Sequence, residues 1–276
     1  MSKLKISILD VGHGDFIYVN SPLGNNIVID CGSGDVVPST FLKNIHVIDE
    51  LQISHPHTDH FDDLVDVSKY SIHSFRCPAI DSFSDKTIGW KKYDKEKINK
   101  LRELKRTITV NKNAVVGSFN FSYSVFYPTN IDSNNPNTAS LVTILSYAGF
   151  KMLFGGDLPD SGWANLLRQD GFISAIKGTN IFKVPHHGRK EGYSEELFRY
   201  ISPKLCIISD KSIDETNKNT VATDWYTHRS TGINIIKSDG TIENRKVLTT
   251  RKDNSIFIES NENGNYYIYQ DTKWRS

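Results

Sequence analysis

The 276 residues carry 33 Lys and Arg against 32 Asp and Glu, a formal charge of +1, with 38% apolar and 24% charged residues. That composition suits a globular chain with a sizeable core, supplies no global attraction to polyanions or anionic membranes, and includes no apolar run near the roughly 18–20 residues that span a bilayer. Cys31, Cys77 and Cys206 are dispersed without a Cys-x-x-Cys pair, so neither a disulfide framework nor a cysteine-based zinc site is indicated. The first ten residues alternate as a strand and lack a charged start, apolar block and cleavage site. The expectation is one soluble, cytoplasmic domain spanning residues 1–276, with no membrane contact.

Short strands with glycine-rich turns are predicted at Lys3–Leu9, Phe16–Asn20 and Asn26–Asp30, then a strand at Val47–Ser54 and a helix over Asp62–Tyr70. Trp90–Arg106 reads as a basic helix with Ile98, Leu101 and Leu104 on its apolar side. Strands follow at Thr107–Val110 and Ser118–Tyr127, and Ser140–Ser146 with Lys151–Phe154 makes a hairpin about Ala148-Gly149. A helix at Gly162–Gln169, a strand at Ile181–Val184, a helix at Ser194–Tyr200 and a strand at Leu205–Ser209 come next. Three strands, Gly232–Lys237, Arg245–Thr250 and Ser255–Glu259, close the chain. Strands and helices in this order fit an α+β architecture of two packed sheets covered by helices, a four-layer αββα sandwich.

The chemistry is concentrated in His55-Pro-His57-Thr-Asp59-His60, which gathers three of the nine histidines and a carboxylate at a strand's end. Surface loops have no reason to collect such groups, whereas neutral imidazoles and carboxylates are what a divalent ion needs. Four groups so close in sequence cannot all ligate one ion well. They can serve two neighbouring ions, His55 and His57 on one, Asp59 and His60 on the other. The remaining donors must come from other strand ends. Asp157, after Gly155-Gly156, can bridge two cations, although an isolated Gly-Gly-Asp is ordinarily just a turn. In Val184-Pro-His-His-Gly188, adjacent histidines should point to opposite sides. His186 is assigned to the metal and His187 to substrate or proton transfer. Zinc or manganese would lower the pKa of a bound water to roughly 7 and make an attacking hydroxide available at neutral pH.

With Leu9-Asp-Val-Gly-His-Gly-Asp15, Val28-Ile-Asp-Cys-Gly32, Asn137-Thr-Ala-Ser-Leu-Val142, Phe154-Gly-Gly-Asp157, Lys183-Val-Pro-His-His-Gly188 and Tyr226-Thr-His228, in that order, the chain resembles the metallo-β-lactamase superfamily. Within it, the chain is similar to the soluble hydrolase domain of the ComEC DNA-uptake family and its stand-alone relatives. The resemblance implies the metallo-β-lactamase sandwich, a centre of two divalent metal ions and hydrolysis by metal-activated water. It also implies Asp30 as the acid orienting a ligand histidine, Asp157 as the bridge, and Asn137 as a weak ligand where many superfamily members have histidine. Asp59, His187 and His228 are the catalytic candidates. Departures from the pattern are Phe61-Asp62-Asp63 in place of small glycines, His13 where Gln is commoner, and no proline after His228. Asp62 and Asp63 would favour a helix start or narrow access for an anion.

Paired cations suit phosphodiesters, and the resembled family acts on DNA, so a phosphodiesterase or nuclease acting on DNA, RNA or a cyclic nucleotide is the leading expectation. Arg189 and Lys190 would meet a phosphate beside the metals. The run Lys86–Lys112 holds ten Lys and Arg residues, with Trp90 and Tyr93 available to stack bases. It could be a backbone-binding face, or a solvated helix with an apolar underside. Two other readings are a hydrolase of a carbonyl substrate (lactone, thioester or β-lactam) and a non-catalytic binding module that keeps the fold.

Overall fold

Side chains alternate across a strand, and three apolar layers follow from that period of two. In Lys3–Ile8, the residues Leu4, Ile6 and Ile8 point to one face, and in Asn26–Ile29 the residues Ile27 and Ile29 do the same while Val28 points away. In Leu205–Ile208, Leu205 and Ile207 join that same central layer, whereas Cys206 and Ile208 belong to an outer one. The computed structural model describes residues 3–89, 94–115, 117, 120–211 and 222–271.

Among these residues the first sheet has nine strands, in the spatial order Ile242–Arg245, Ile233–Ile236, Tyr266–Asp271, Ser255–Asn261, Lys3–Ile8, Ile17–Asn20, Asn26–Ile29, Glu50–Gln52 and Phe75–Arg76. The second has six: Val247–Thr249, Leu205–Ile208, Ile181–Lys183, Phe150–Phe154, Val142–Tyr147 and Phe121–Phe126. Their facing surfaces close over Ile6, Ile29, Leu145, Met152, Ile207 and Ile258. Outside the first sheet, the helix Lys95–Thr107 buries Ile98, Leu101 and Leu104 against Leu51 and Ile53. Outside the second, Trp163, Leu166, Phe172 and Tyr226 from three helices cover Leu153, Phe182 and Cys206. The chain is thus the αββα sandwich expected from its sequence. No helix among the described residues is long and apolar enough to cross a membrane.

Burial makes the central layer sensitive to volume. Ile207 is fully buried, and Ile207→Ala should cost about 2–5 kcal/mol in urea unfolding because the cavity collapses only in part. Ile242, 68% exposed on the edge hairpin, should tolerate alanine within about 0.5 kcal/mol.

Several elements differ from expectation. The helix predicted at Asp62–Tyr70 is a single turn, Leu64–Val67, and that at Ser194–Tyr200 is a 3-10 turn at Leu197–Arg199. Thr107–Val110 is no strand, because Thr107 still belongs to the preceding helix, which Asp94 caps by accepting from the backbone N–H groups of Glu96 and Lys97. Strands Ile242–Arg245 and Tyr266–Asp271 are additional.

Strand direction is what positions the site. The strands Phe150–Phe154, Ile181–Lys183, Leu205–Ile208 and Val247–Thr249 run parallel, so their C-terminal ends share one edge. Lys3–Ile8, Asn26–Ile29 and Glu50–Gln52 likewise share one direction, the first two through two antiparallel steps. Leu141 N–H donates to the Ser54 carbonyl (2.8 Å), Asp157 N–H to Ser140 Oγ (3.1 Å) and His186 N–H to the Gly156 carbonyl (3.0 Å), which ties the two sets of loops together.

Candidate metal centre

Imidazoles and carboxylates from several strand ends converge at that edge. His55, His57 and His60 follow Glu50–Gln52, Asp30 follows Asn26–Ile29, Asp157 follows Phe150–Phe154 and His187 follows Ile181–Lys183. His55 and His60 are fully buried, Asp157 and His187 are 1% exposed, and His57 is 8% exposed. The ligand atoms of His55, His57 and Asp157 lie within 4.8 Å of one another, as do those of His60, Asp157 and His187 and those of His13, Asp59 and His187. Asp157 belongs to two of these groups: its Oδ2 is 3.5 Å from His55 Nε2 and 3.6 Å from His187 Nε2, and its Oδ1 is 3.5 Å from His60 Nε2.

Neighbours fix the tautomers. His60 Nδ1 is 2.8 Å from Asp30 Oδ2, and Asp30 also accepts from the Ser54 N–H (2.6 Å) and Ser54 Oγ (2.7 Å). A carboxylate so held accepts a hydrogen bond from His60 Nδ1–H, which fixes the proton on Nδ1 and leaves Nε2 facing Asp157. His187 Nδ1 donates to the Ser209 carbonyl (3.0 Å), so its Nε2 lone pair is directed towards Asp157 and Asp59. Burial works to raise the Asp157 pKa, but His187, His60 and His55 around it reverse the sign and hold the carboxyl well below its usual range. Burial pushes His55 well below the ordinary imidazole value, which keeps it neutral and able to donate a lone pair.

The donor set fits divalent cations on an observation independent of motif. His60 Nε2 and Asp157 Oδ1 are both buried without a hydrogen-bond partner, although they face each other. Burial works to lower the His60 pKa, but Asp157 and Asp30 reverse the sign and raise it well above the ordinary imidazole value, so this point calls for positive charge, which a divalent cation supplies in place of the Nε2 proton. Backbone strain is concentrated here too. Asp30, His186 and His187 hold φ of 59°, 51° and 52°, a left-handed conformation costing on the order of 1–3 kcal/mol at non-glycine residues.

The two adjacent histidines take the opposite of their expected places. Strand alternation does not apply to a left-handed turn, and this one rolls His187 inward onto Asp157 while His186 faces outward. His186 Nε2 lies 3.5 Å from Asn137 Nδ2 and 3.5 Å from Arg189 Nη1, at the mouth of a pocket of about 370 Å³ that His57, Lys86, Thr87 and Asn135 also line. Asn137 Oδ1 is buried without a hydrogen-bond partner beside that mouth. His228 is not brought to the cluster. It sits exposed on the helix Thr223–Arg229, its Nδ1 donating to the Asp224 carbonyl, around a separate depression with Tyr193, Trp225 and Arg229. Lys190 turns the same way, 5.5 Å from the Trp225 ring centre, and does not line the metal pocket.

The basic helix is largely committed to the fold. Lys97 pairs with Asp62, Arg102 with Asp85, and Lys105 donates to the Pro78 carbonyl. Asp62 and Asp63 are tertiary anchors as well, since Asp63 accepts from the Ser39 N–H (2.6 Å). Trp90 and Tyr93, expected as stacking groups, lie outside the described residues. Two residues outside the expected site set lie at the cluster or its pocket: Lys86, first of the basic run, which reaches the pocket from the short helix Asp85–Ile88, and His13, whose Nε2 is 3.3 Å from Asp59 Oδ2.

No protein-family model matches the chain. ComE operon protein 3 of Bacillus subtilis (strain 168) is 25% identical over 230 residues, which is 75% of this chain and 28% of that protein; the chain therefore spans well under a third of its relative. Among solved structures, the metallo-β-lactamase fold protein YhfI from Bacillus subtilis is similar with a TM-score of 0.53 and 11% identity, covering 97% of this chain and 100% of that one. The sandwich and its strand-end cluster therefore constitute a metallo-β-lactamase fold, carried by a chain whose sequence resembles part of ComE operon protein 3.

Proposed function

We propose that this chain is a metal-dependent hydrolase of phosphodiesters, acting on a nucleic acid or nucleotide. The observation that carries the reading is the pairing of the buried donor cluster with a pocket whose described lining includes two cations, Lys86 and Arg189, and no carboxylate. Such a mouth favours an anionic substrate, and its volume lies within the roughly 300–1,000 Å³ of small-molecule sites. The likeness to the ComEC hydrolase domain supports the same substrate class.

In this reading His55, His57 and Asp157 hold one cation, and Asp59, His60, Asp157 and His187 the other, with Asp157 shared. Two divalent cations, zinc or manganese, would supply positive charge and an activated water at neutral pH. Asp30 keeps the Nδ1 proton of His60, and the Ser209 carbonyl keeps that of His187, so both imidazoles present Nε2 inward. Arg189, Lys86 and the Asn137 amide would orient the substrate phosphate at the mouth, and His186, whose Nε2 is 3.5 Å from Asn137 Nδ2, stands beside them as the group to donate a proton to the departing oxygen. Phe61 and Leu64, which follow His60 in the chain, are fully buried in the apolar layer outside the first sheet.

The test is a panel of single- and double-stranded DNA, RNA, cyclic nucleotides, a bis-aryl phosphodiester, a lactone, a thioester and a β-lactam, each with manganese and with zinc. Turnover of phosphodiesters that weakens steeply with salt is expected; turnover confined to the carbonyl compounds, indifferent to salt, would refute the substrate class. Arg189→Ala should raise KM for a phosphodiester roughly 10–100-fold, the worth of one charge-assisted hydrogen bond, and flatten the salt dependence by about one ion.

A further inference from the structure

The loop between the first two strands carries a histidine into the cluster. Leu9 N–H donates to the Phe16 carbonyl at the loop's base, and Gly32 N–H donates to the Asp15 carbonyl on its flank. Between them Gly12 and Gly14 hold φ of 73° and 134°. A Cβ on Gly14 would fall 2.2 Å from the Asp59 carbonyl oxygen, and one on Gly32 would fall 2.3 Å from the same atom. The loop is therefore seated directly on the backbone of Asp59, at a separation only glycine allows. His13, a quarter exposed, is delivered there with its ring centre 4.3 Å from that of His187 and its Nε2 3.3 Å from Asp59 Oδ2.

We propose that His13 is a fifth ligand to the cation held by Asp59, His60, Asp157 and His187. This rests on the metal-centre reading above and deepens it. The ligand atoms of His13, Asp59 and His187 fall within 4.8 Å of one another, as do those of His60, Asp157 and His187, and the two groups share His187. Drawn together by one ion at His187, where the two groups meet, they give that side of the centre five protein donors, three imidazoles and two carboxylates, while the group towards the pocket is His55, His57 and Asp157. The centre is unequal by construction. The five-donor side binds first and more tightly, and the three-donor side, where His57 lines the pocket, keeps the positions open to water and substrate.

The test uses Co²⁺ as the probe, added to apo protein and followed by metal content, competitive titration and the visible spectrum. The wild type should take up two ions with separable affinities. His13→Gln should weaken the tighter site at least tenfold and intensify its d–d bands as a five-coordinate ion becomes four-coordinate. His13→Cys should create a thiolate-to-cobalt charge-transfer band absent from the wild type, which requires position 13 to be within bonding distance. Unchanged affinity in His13→Gln, or weakened affinity with no such band in His13→Cys, would overturn the proposal, the second result assigning His13 to holding Asp59 in place. Failure of the wild type itself to bind Co²⁺ would instead remove the metal-centre reading, and this inference with it.

Discussion

Asp157→Ala is expected to lower turnover by about 10³-fold or more while leaving the fold in place. The carboxylate belongs to two donor groups among the described residues, 3.5 Å from His55 and from His60 and 3.6 Å from His187. Removing it deletes a donor from two ligand groups at once, and a loss of about 4 kcal/mol of transition-state stabilisation corresponds to three decades in rate. Its contribution to the apolar core is small, because the inter-sheet layer of Ile6, Leu145, Met152 and Ile207 does not include it. The comparison that isolates the effect is metal content and far-UV circular dichroism beside kcat on a bis-aryl phosphodiester. A variant that keeps its metal and turns over at the wild-type rate would deny Asp157 the bridging role. His57→Ala, which removes a donor from one group only, should lose less metal than Asp157→Ala.

The reason this centre is so legible in the sequence is that each part follows one grammar: a strand, then a sharp turn, then a donor. The run His55–His60 shows it most densely, and Gly155-Gly156-Asp157 and Pro185-His-His-Gly188 repeat it. Where legibility fails, the cause is geometry that spacing does not encode. Residues alternate sides only on extended backbone, so the left-handed φ of 51° and 52° at His186 and His187 defeats any choice between them by register. Gly12 and Gly14 announce a close approach at His13 but not the backbone of Asp59 that lies opposite, because that contact joins separate loops. The basic run reads as a solvated helix before it reads as a nucleic-acid face, and Asp62 and Asp85 take up Lys97 and Arg102. His228 belongs to a recognisable sequence segment, yet the helix Thr223–Arg229 buries Tyr226 and in doing so turns His228 outward. The edge strand Ile242–Arg245 escapes because three of its four residues are exposed and no apolar alternation marks it.

Lys183→Met should destabilise the protein by about 3–5 kcal/mol, an effect far larger than the loss of a surface charge. Lys183 is 1% exposed, and its ammonium lies 2.8 and 2.9 Å from the two carboxylate oxygens of Asp15, itself 2% exposed. The pair joins the sheets: Asp15 follows the strand Lys3–Ile8 of the first, and Lys183 ends the strand Ile181–Lys183 of the second. Methionine fills much the same volume, so what the substitution leaves is a buried carboxylate without its cation. That charge would not be isolated, since Asp15 shares a cluster with Asp30 and His60 behind the metal donors. An uncompensated Asp15 would thus repel the carboxylate that orients His60, and metal affinity should fall along with stability. Adding Asp15→Asn removes the stranded charge and should restore most of the loss, whereas the exposed pair of Lys69 with Asp66 should show coupling of no more than about 1 kcal/mol. Urea unfolding of the four members of the Asp15/Lys183 cycle decides the matter. Should Lys183→Met fall within about 1 kcal/mol of the wild type, or should Asp15→Asn fail to rescue it, the pair is not what holds the two sheets' loops in register at the metal centre.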